Sequence, residues 1–204
     1  MKRIVVLASG RGSNFLAVAS AIAEGKIAGR CVGLIVDRNG TLAAVRAERQ
    51  HIPVITINYQ EFRSRDEYEA ELSAVLRSLN PDLIVLAGYM RILGSSIIRE
   101  YAGRIINIHP SLLPSFAGLN AHRQAIEYGV RLSGCTVHFV DEGTDTGPII
   151  LQRWCDVSED DDESTLSDRI LTLEHEALPK AVSLFCEGRL TIDGRRVFIS
   201  DEAE

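Results

Sequence analysis

The strongest constraint on the fold is a rhythm in the first half of the chain. Short apolar runs rich in β-branched residues, at 3–8, 31–36, 54–57 and 83–87, alternate with helix-forming stretches at 15–23, 41–50 and 61–79. The runs are apolar at nearly every position rather than at every second one. That is the pattern of strands buried on both faces of a parallel sheet. Strands separated by helices dictate parallel β-α-β units with right-handed crossovers. A short helix at 95–101 leads into a further strand over 105–109. Beyond it the rhythm changes. Residues 110–120 carry two prolines and a glycine and read as an irregular loop, and 121–128 as a helix closed by Gly129. Strands at 133–140 and 149–157 flank an acidic turn, a hairpin-like arrangement. A last helix over 165–186 is expected to bend or break at Pro179 and to end near Gly188. The tail beyond Gly188 reads as short and polar. The expected fold class is therefore α/β: a mostly parallel twisted sheet of β-α-β units, with helices on both faces and an antiparallel C-terminal edge.

Composition narrows the function classes. The 204 residues suit one domain, and 46% apolar with 25% charged residues is ordinary for a globular protein. A formal net charge of −6 argues against a general nucleic-acid surface, while leaving room for a small anion held locally. No apolar run approaches the ~20 residues that span a bilayer. The first residues lack a secretory cleavage pattern, because Ser9-Gly10-Arg11-Gly12 follows at once. Cys31, Cys135, Cys155 and Cys186 are scattered, so buried free thiols are expected and neither a disulfide framework nor a metal site. Together these features point to a cytoplasmic protein without a membrane partner.

Two stretches carry candidate chemistry. The first is Asn107-Ile108-His109-Pro110-Ser111, where strand alternation projects Asn107 and His109 to the same side. An amide that donates to an oxyanion then stands beside an imidazole that carries a proton near neutrality. A purely structural strand end is the other reading, and the stretch alone does not separate the two. The second is the turn Gly10-Arg11-Gly12-Ser13-Asn14 between strand and helix, which suits a phosphate or is an ordinary capped turn. Phe15 stands where a dinucleotide fingerprint needs a small residue, and there is no Walker lysine. Asp37, at the end of the second strand, imitates a ribose-binding acid and is discounted. Among the acids of the later turn, Asp145 stands out because it lies between two glycines, and a carboxylate near His109 would favour the imidazolium. His51, His122, His138 and His175 are weaker candidates; for His138, within a strand, a satisfied structural histidine is the better reading. No histidine set has zinc spacing, and Ser111 lacks a nucleophile-elbow frame.

These motifs, in this order, resemble the folate-dependent formyltransferases, and within them the glycinamide ribonucleotide branch. The resemblance rests on Ala8-Ser9-Gly10-Arg11-Gly12-Ser13-Asn14, Leu86-Ala87-Gly88-Tyr89-Met90-Arg91-Ile92-Leu93, Asn107-Ile108-His109-Pro110-Ser111-Leu112-Leu113-Pro114, Gly134-Cys135-Thr136-Val137-His138-Phe139-Val140 and Asp145-Thr146-Gly147-Pro148. It implies transfer of a formyl group from 10-formyltetrahydrofolate, a co-substrate, to the amine of glycinamide ribonucleotide in purine synthesis. It implies Asn107, His109 and Asp145 as catalytic residues. Gly12, Ser13, Asn14 and Glu174 would contact the ribonucleotide. Arg65, Met90, Arg91, Ile92, Leu93, Asn107 and Asp141, with the backbone of the 141–145 turn, would contact the folate. No metal is required. The partners are small-molecule substrates, not nucleic acid or membrane, and a homodimer is left open. One domain over 1–204 is expected, with a phosphate-binding half at 1–105 and a catalytic, folate-binding half at 106–190. A transfer-RNA-directed relative would carry a further C-terminal domain, and a deformylase an extra N-terminal one. The sequence departs from the resemblance at Ser115-Phe116-Ala117-Gly118 and at Val36-Asp37-Arg38-Asn39.

Overall fold

The computed structural model describes residues 1–201. The last three residues of the expected single-domain span lie outside the described residues. The chain divides into two compact units, Met1–Ile106 and Asn107–Glu204.

The first unit holds β1 (Lys2–Ala8), α1 (Ser13–Ala23), β2 (Gly29–Val36), α2 (Leu42–Arg49), β3 (Val54–Thr56), α3 (Arg65–Leu79), β4 (Leu83–Leu86) and α4 (Ser95–Glu100). β1 pairs in parallel with β2 and β4, and β2 with β3, so the strand order is β3-β2-β1-β4. Ile4, Val5, Val6, Leu7 and Ala8 are wholly buried, as are Leu34, Ile35, Val36, Leu83, Ile84 and Val85. The continuous apolar runs are thus the central strands of a parallel sheet. α3 turns Tyr68, Leu72 and Leu76, spaced by four, into the core. It starts at Arg65, later than the expected 61, because Ser64 caps it through Glu67 N–H at 3.2 Å and Phe62 is extended. A single 3₁₀ turn, Tyr59–Glu61, precedes that break. At the other end of α3, Arg3 donates to the carbonyls of Leu79 and Asn80, a cation meeting unpaired C-terminal carbonyls.

β5 (Ile105–His109) runs across the boundary and delivers Asn107 and His109 to the second unit. That unit continues with α5 (Ala121–Tyr128), β6 (Leu132–Phe139), β7 (Ile149–Asp156), α6 (Glu163–Cys186), β8 (Leu190–Asp193) and β9 (Arg196–Ile199). β6 and β7 are antiparallel with a register shift at Val137/His138. β8 and β9 form an antiparallel hairpin, and β9 meets β7 in parallel. The expected mostly parallel sheet with an antiparallel C-terminal part is what the chain builds. The hairpin corrects the reading of the tail as merely polar. α6 runs unbroken through Pro179 and opens on a capping box between Asp162 and Thr165. Its buried residues include Leu166, Ile170, Glu174, Ala177, Leu178 and Ala181, so one carboxylate interrupts a mostly apolar face.

Candidate active site

In the second unit three polar side chains and one backbone N–H converge on Asp145. β5 supplies Asn107 and His109 from one side of the strand, as alternation requires. His109 Nδ1 lies 3.3 Å from Asp145 Oδ2, and its Nε2 donates to the Phe116 carbonyl at 2.9 Å. Both ring nitrogens therefore face oxygen acceptors, which only the imidazolium satisfies as a double donor. The Asn107 amide nitrogen donates to His138 Nε2 at 3.1 Å and reaches Asp145 Oδ1 at 3.5 Å. The Gly118 N–H completes the shell, donating to Asp145 Oδ2 at 2.8 Å.

The local chain explains this convergence. Asp145 has a left-handed backbone, φ 54°, which Asp tolerates better than most residues. The turn closes tightly, because a Cβ at Gly147 would sit 1.7 Å from the Phe139 carbonyl oxygen. Asp141 accepts from Gly143 N–H at 3.1 Å and Thr146 Oγ1 at 2.6 Å, tying off the near side of the turn. The β6 register shift falls at His138, and such irregularities re-aim side chains beside functional sites. His138 Nδ1 donates to the Phe139 carbonyl at 2.8 Å, which leaves Nε2 of the neutral ring to accept from Asn107. Its 3.7 Å separation from Asp145 Oδ1 is too long for a hydrogen bond, so Asn107 is the partner that fixes the ring. Loop 111–116 is pinned to the hairpin. Thr136 Oγ1 accepts from Leu113 N–H and donates to the Ser111 carbonyl, and Gln152 reaches the Leu113 carbonyl. The Leu113-Pro114 bond is cis.

Burial opposes ionisation of Asp145. The Gly118 N–H and the charge of His109 outweigh it and hold the carboxyl below its ordinary range. The cluster is thus a carboxylate in contact with an imidazole, with an amide held beside both. Glu174 is buried on α6. On β6, burial, and after it the Glu174 carboxylate, pushes the Cys135 thiol up to about 12.

The first unit carries the other expected contacts. Gly12 caps α1 with φ 68° and without a side-chain cap bond, so Ser13 and Asn14 open the helix and its first turn carries no acid. Such an N-terminus favours an anion. Only glycine fits at position 12, since a Cβ would lie 2.5 Å from Ala43 Cβ and 2.6 Å from Ala43 Cα. Arg65 donates to Glu69 Oε1 at 2.6 Å and to the Ile92 carbonyl at 3.1 Å, which joins it to the 90–93 segment. Met90 and Ile92 are 64% and 66% exposed, while Leu93 is buried. Among the described residues no group of three metal-ligating side chains could hold a metal ion, and no helix is long and apolar enough to cross a membrane.

Two further residues are polar partners of the expected site residues. His138 is the satisfied strand histidine expected, both ring nitrogens paired, and through Asn107 it joins the Asp145 cluster. Asp37 pairs with Arg91 at 3.0 Å.

Residues 2–182 match the family model described as formyl transferase. The chain belongs to the formyl transferase family. It is 40% identical to the phosphoribosylglycinamide formyltransferase of Escherichia coli (strain K12), over 95% of this chain and 95% of that protein. It is also 45% identical over 94% of its length to the trifunctional purine biosynthetic protein adenosine-3 of Drosophila melanogaster, of which it spans only 14%. The crystal structure of glycinamide ribonucleotide transformylase 1 from Symbiobacterium toebii superposes with a TM-score of 0.96 at 46% identity, covering 98% of this chain and 95% of that one. As a formyl transferase, the chain places its Asn-Ile-His-Pro-Ser run and its Asp-Thr-Gly-Pro turn in one cluster, within one unit.

Proposed function

We propose that the chain transfers a formyl group from 10-formyltetrahydrofolate to the amine of glycinamide ribonucleotide, a step of de novo purine synthesis. The observation that carries this reading is the pairing of His109 and Asn107 with Asp145 in a member of the formyl transferase family. The named activity of the full-length bacterial relatives supports the choice of acceptor.

Attack of an amine on the formyl carbon places negative charge on the formyl oxygen and makes the attacking nitrogen acidic. The departing folate nitrogen must gain a proton. His109, hydrogen-bonded between two oxygen acceptors, stabilises the oxygen, gives its proton to the departing folate nitrogen and regains one from the attacking nitrogen, so that the proton lost by the amine ends on the folate. Its Nε2 proton rests on the Phe116 carbonyl at 2.9 Å, so transfer exchanges that acceptor for the leaving nitrogen. Asn107 keeps one amide hydrogen on His138. The other makes only the 3.5 Å contact with Asp145, at the limit of a hydrogen bond, and is the one a formyl oxygen takes. Asp145, ionised across the neutral range, orients His109 and balances its charge. The turn at Gly12, Ser13 and Asn14 takes the ribonucleotide phosphate, and Glu174 contacts the same substrate. Arg65, Met90, Arg91, Ile92 and Leu93, with Asn107 and Asp141, bind the folate. This chemistry requires no covalent enzyme intermediate, and the transfer is direct.

The test is an assay with glycinamide ribonucleotide and a 10-formyl folate, following absorbance of the folate product. Formation of formylated ribonucleotide is expected, with no added metal. Absence of turnover by the wild-type chain would overturn the assignment.

A further inference from the structure

We propose that Asp37 is a positioning residue for the 88–93 loop and sets folate affinity through Arg91. This rests on the assignment of that loop to the folate. Asp37 follows β2 directly and is 3% exposed. Its Oδ2 accepts from Arg91 Nε at 3.0 Å, and its Oδ1 is buried with no hydrogen-bond partner. A buried carboxylate with so little compensation costs stability and is kept where its charge is used.

The same residue also places the other wall against which Arg91 lies. The Asp37 carbonyl accepts from Tyr59 N–H at 3.0 Å, and the Arg91 guanidinium carbon sits 3.7 Å from the Tyr59 ring centroid. Arg91 is therefore gripped between a carboxylate edge and an aromatic face, a geometry that a planar guanidinium suits. Tyr59 packs edge-on against Tyr68 at 5.1 Å, and the Tyr68 hydroxyl is hydrogen-bonded to that of Tyr89, two residues before Arg91. The loop is held at Met90 as well, whose N–H donates to Ser9 Oγ at 2.9 Å. With Arg91 fixed, Met90 and Ile92 on either side of it stay turned outward. Those exposed apolar side chains form a surface of set position, which is what a flat heteroaromatic ligand requires. Loss of the Asp37 charge frees the guanidinium and lets that surface wander.

Steady-state kinetics of Asp37→Asn, varying each substrate in turn, tests the assignment. The asparagine keeps the volume and removes the charge. The expected result is a rise of about tenfold in KM for the formyl folate, with kcat and the ribonucleotide KM within about twofold of wild type. In an Arg91→Met background the same change should add little, because the group it acts through is gone. An unchanged folate KM, equal rises in both KM values, or full additivity with Arg91→Met would each overturn the proposal. If Asp37→Asn does not fold, Tyr59→Leu removes the other wall and should give the same folate-selective rise; an unselective effect there overturns the proposal too. Wild-type protein without turnover would instead remove the functional assignment on which the proposal stands.

Discussion

His109 and Asn107 owe their place to the two-residue period of a strand, and their chemistry to what surrounds its end. Replacing His109 by alanine removes the proton donor while leaving a small, tolerable gap beside Asp145. Turnover should fall by about 10²–10⁴, with little change in either KM. Near-normal turnover would remove His109 from the mechanism and leave the substrate assignment standing. Asn107→Ala should cost about 10²–10³ in kcat, the usual scale for one oxyanion donor. It also strips His138 of its donor partner. These two positions were legible in the sequence because alternation is local. His138 was not, because its aim depends on a register shift that only pairing with β7 creates.

At the scale of elements, the turn between β6 and β7 is the piece whose shape matters most. Its closure depends on Gly147 lying against the Phe139 carbonyl, with no room for a methyl group. Gly147→Ala should displace the turn, lower stability by about 1–3 kcal/mol and reduce kcat with it, as measured by urea unfolding and steady-state rates. Wild-type stability and rate in that variant would show that the turn is not held there. The last helix makes a different point. Pro179 removes the hydrogen bond from its own position to residue 175, yet α6 continues, since its apolar stripe against β6 and β7 outweighs one lost bond. The C-terminal hairpin was readable from alternation in Leu190-Thr191-Ile192 and Arg196-Val197-Phe198 around Gly194. Its shortness and high charge make that signal weak beside the longer strands.

For the whole molecule, the acid limb of stability follows from its depressed carboxylates. Asp145 has a lowered folded-state pKa, so its contribution is present above the unfolded value of 3.8 and is lost as pH falls through the folded one. Asp161 behaves the same way, held at about 2 by its bonds to Arg169. Asp145→Asn isolates the first from the second. The stability difference between wild type and this variant should shrink as pH falls from about 5 towards 3, measured by urea unfolding at each pH. A difference independent of pH would show that the carboxylate is not held ionised by its neighbours.

By itself the sequence determined the α/β rhythm, the buried strands of the first unit and the strand-end placement of Asn107 and His109. It also determined the glycine turn that opens α1. All of these are set by the chemistry of neighbours within a few positions, through periodicity, turn residues and caps. The tertiary structure decided which polar groups meet. It brought Asp145 to His109 across 36 positions of chain, aimed His138 at Asn107, and turned Asp37 from an apparent ribose acid into the partner of Arg91. Those meetings depend on strand register, on turn closure and on where a buried charge finds its counter-ion. None of these is encoded in any one stretch, because each is settled only when distant segments are packed together.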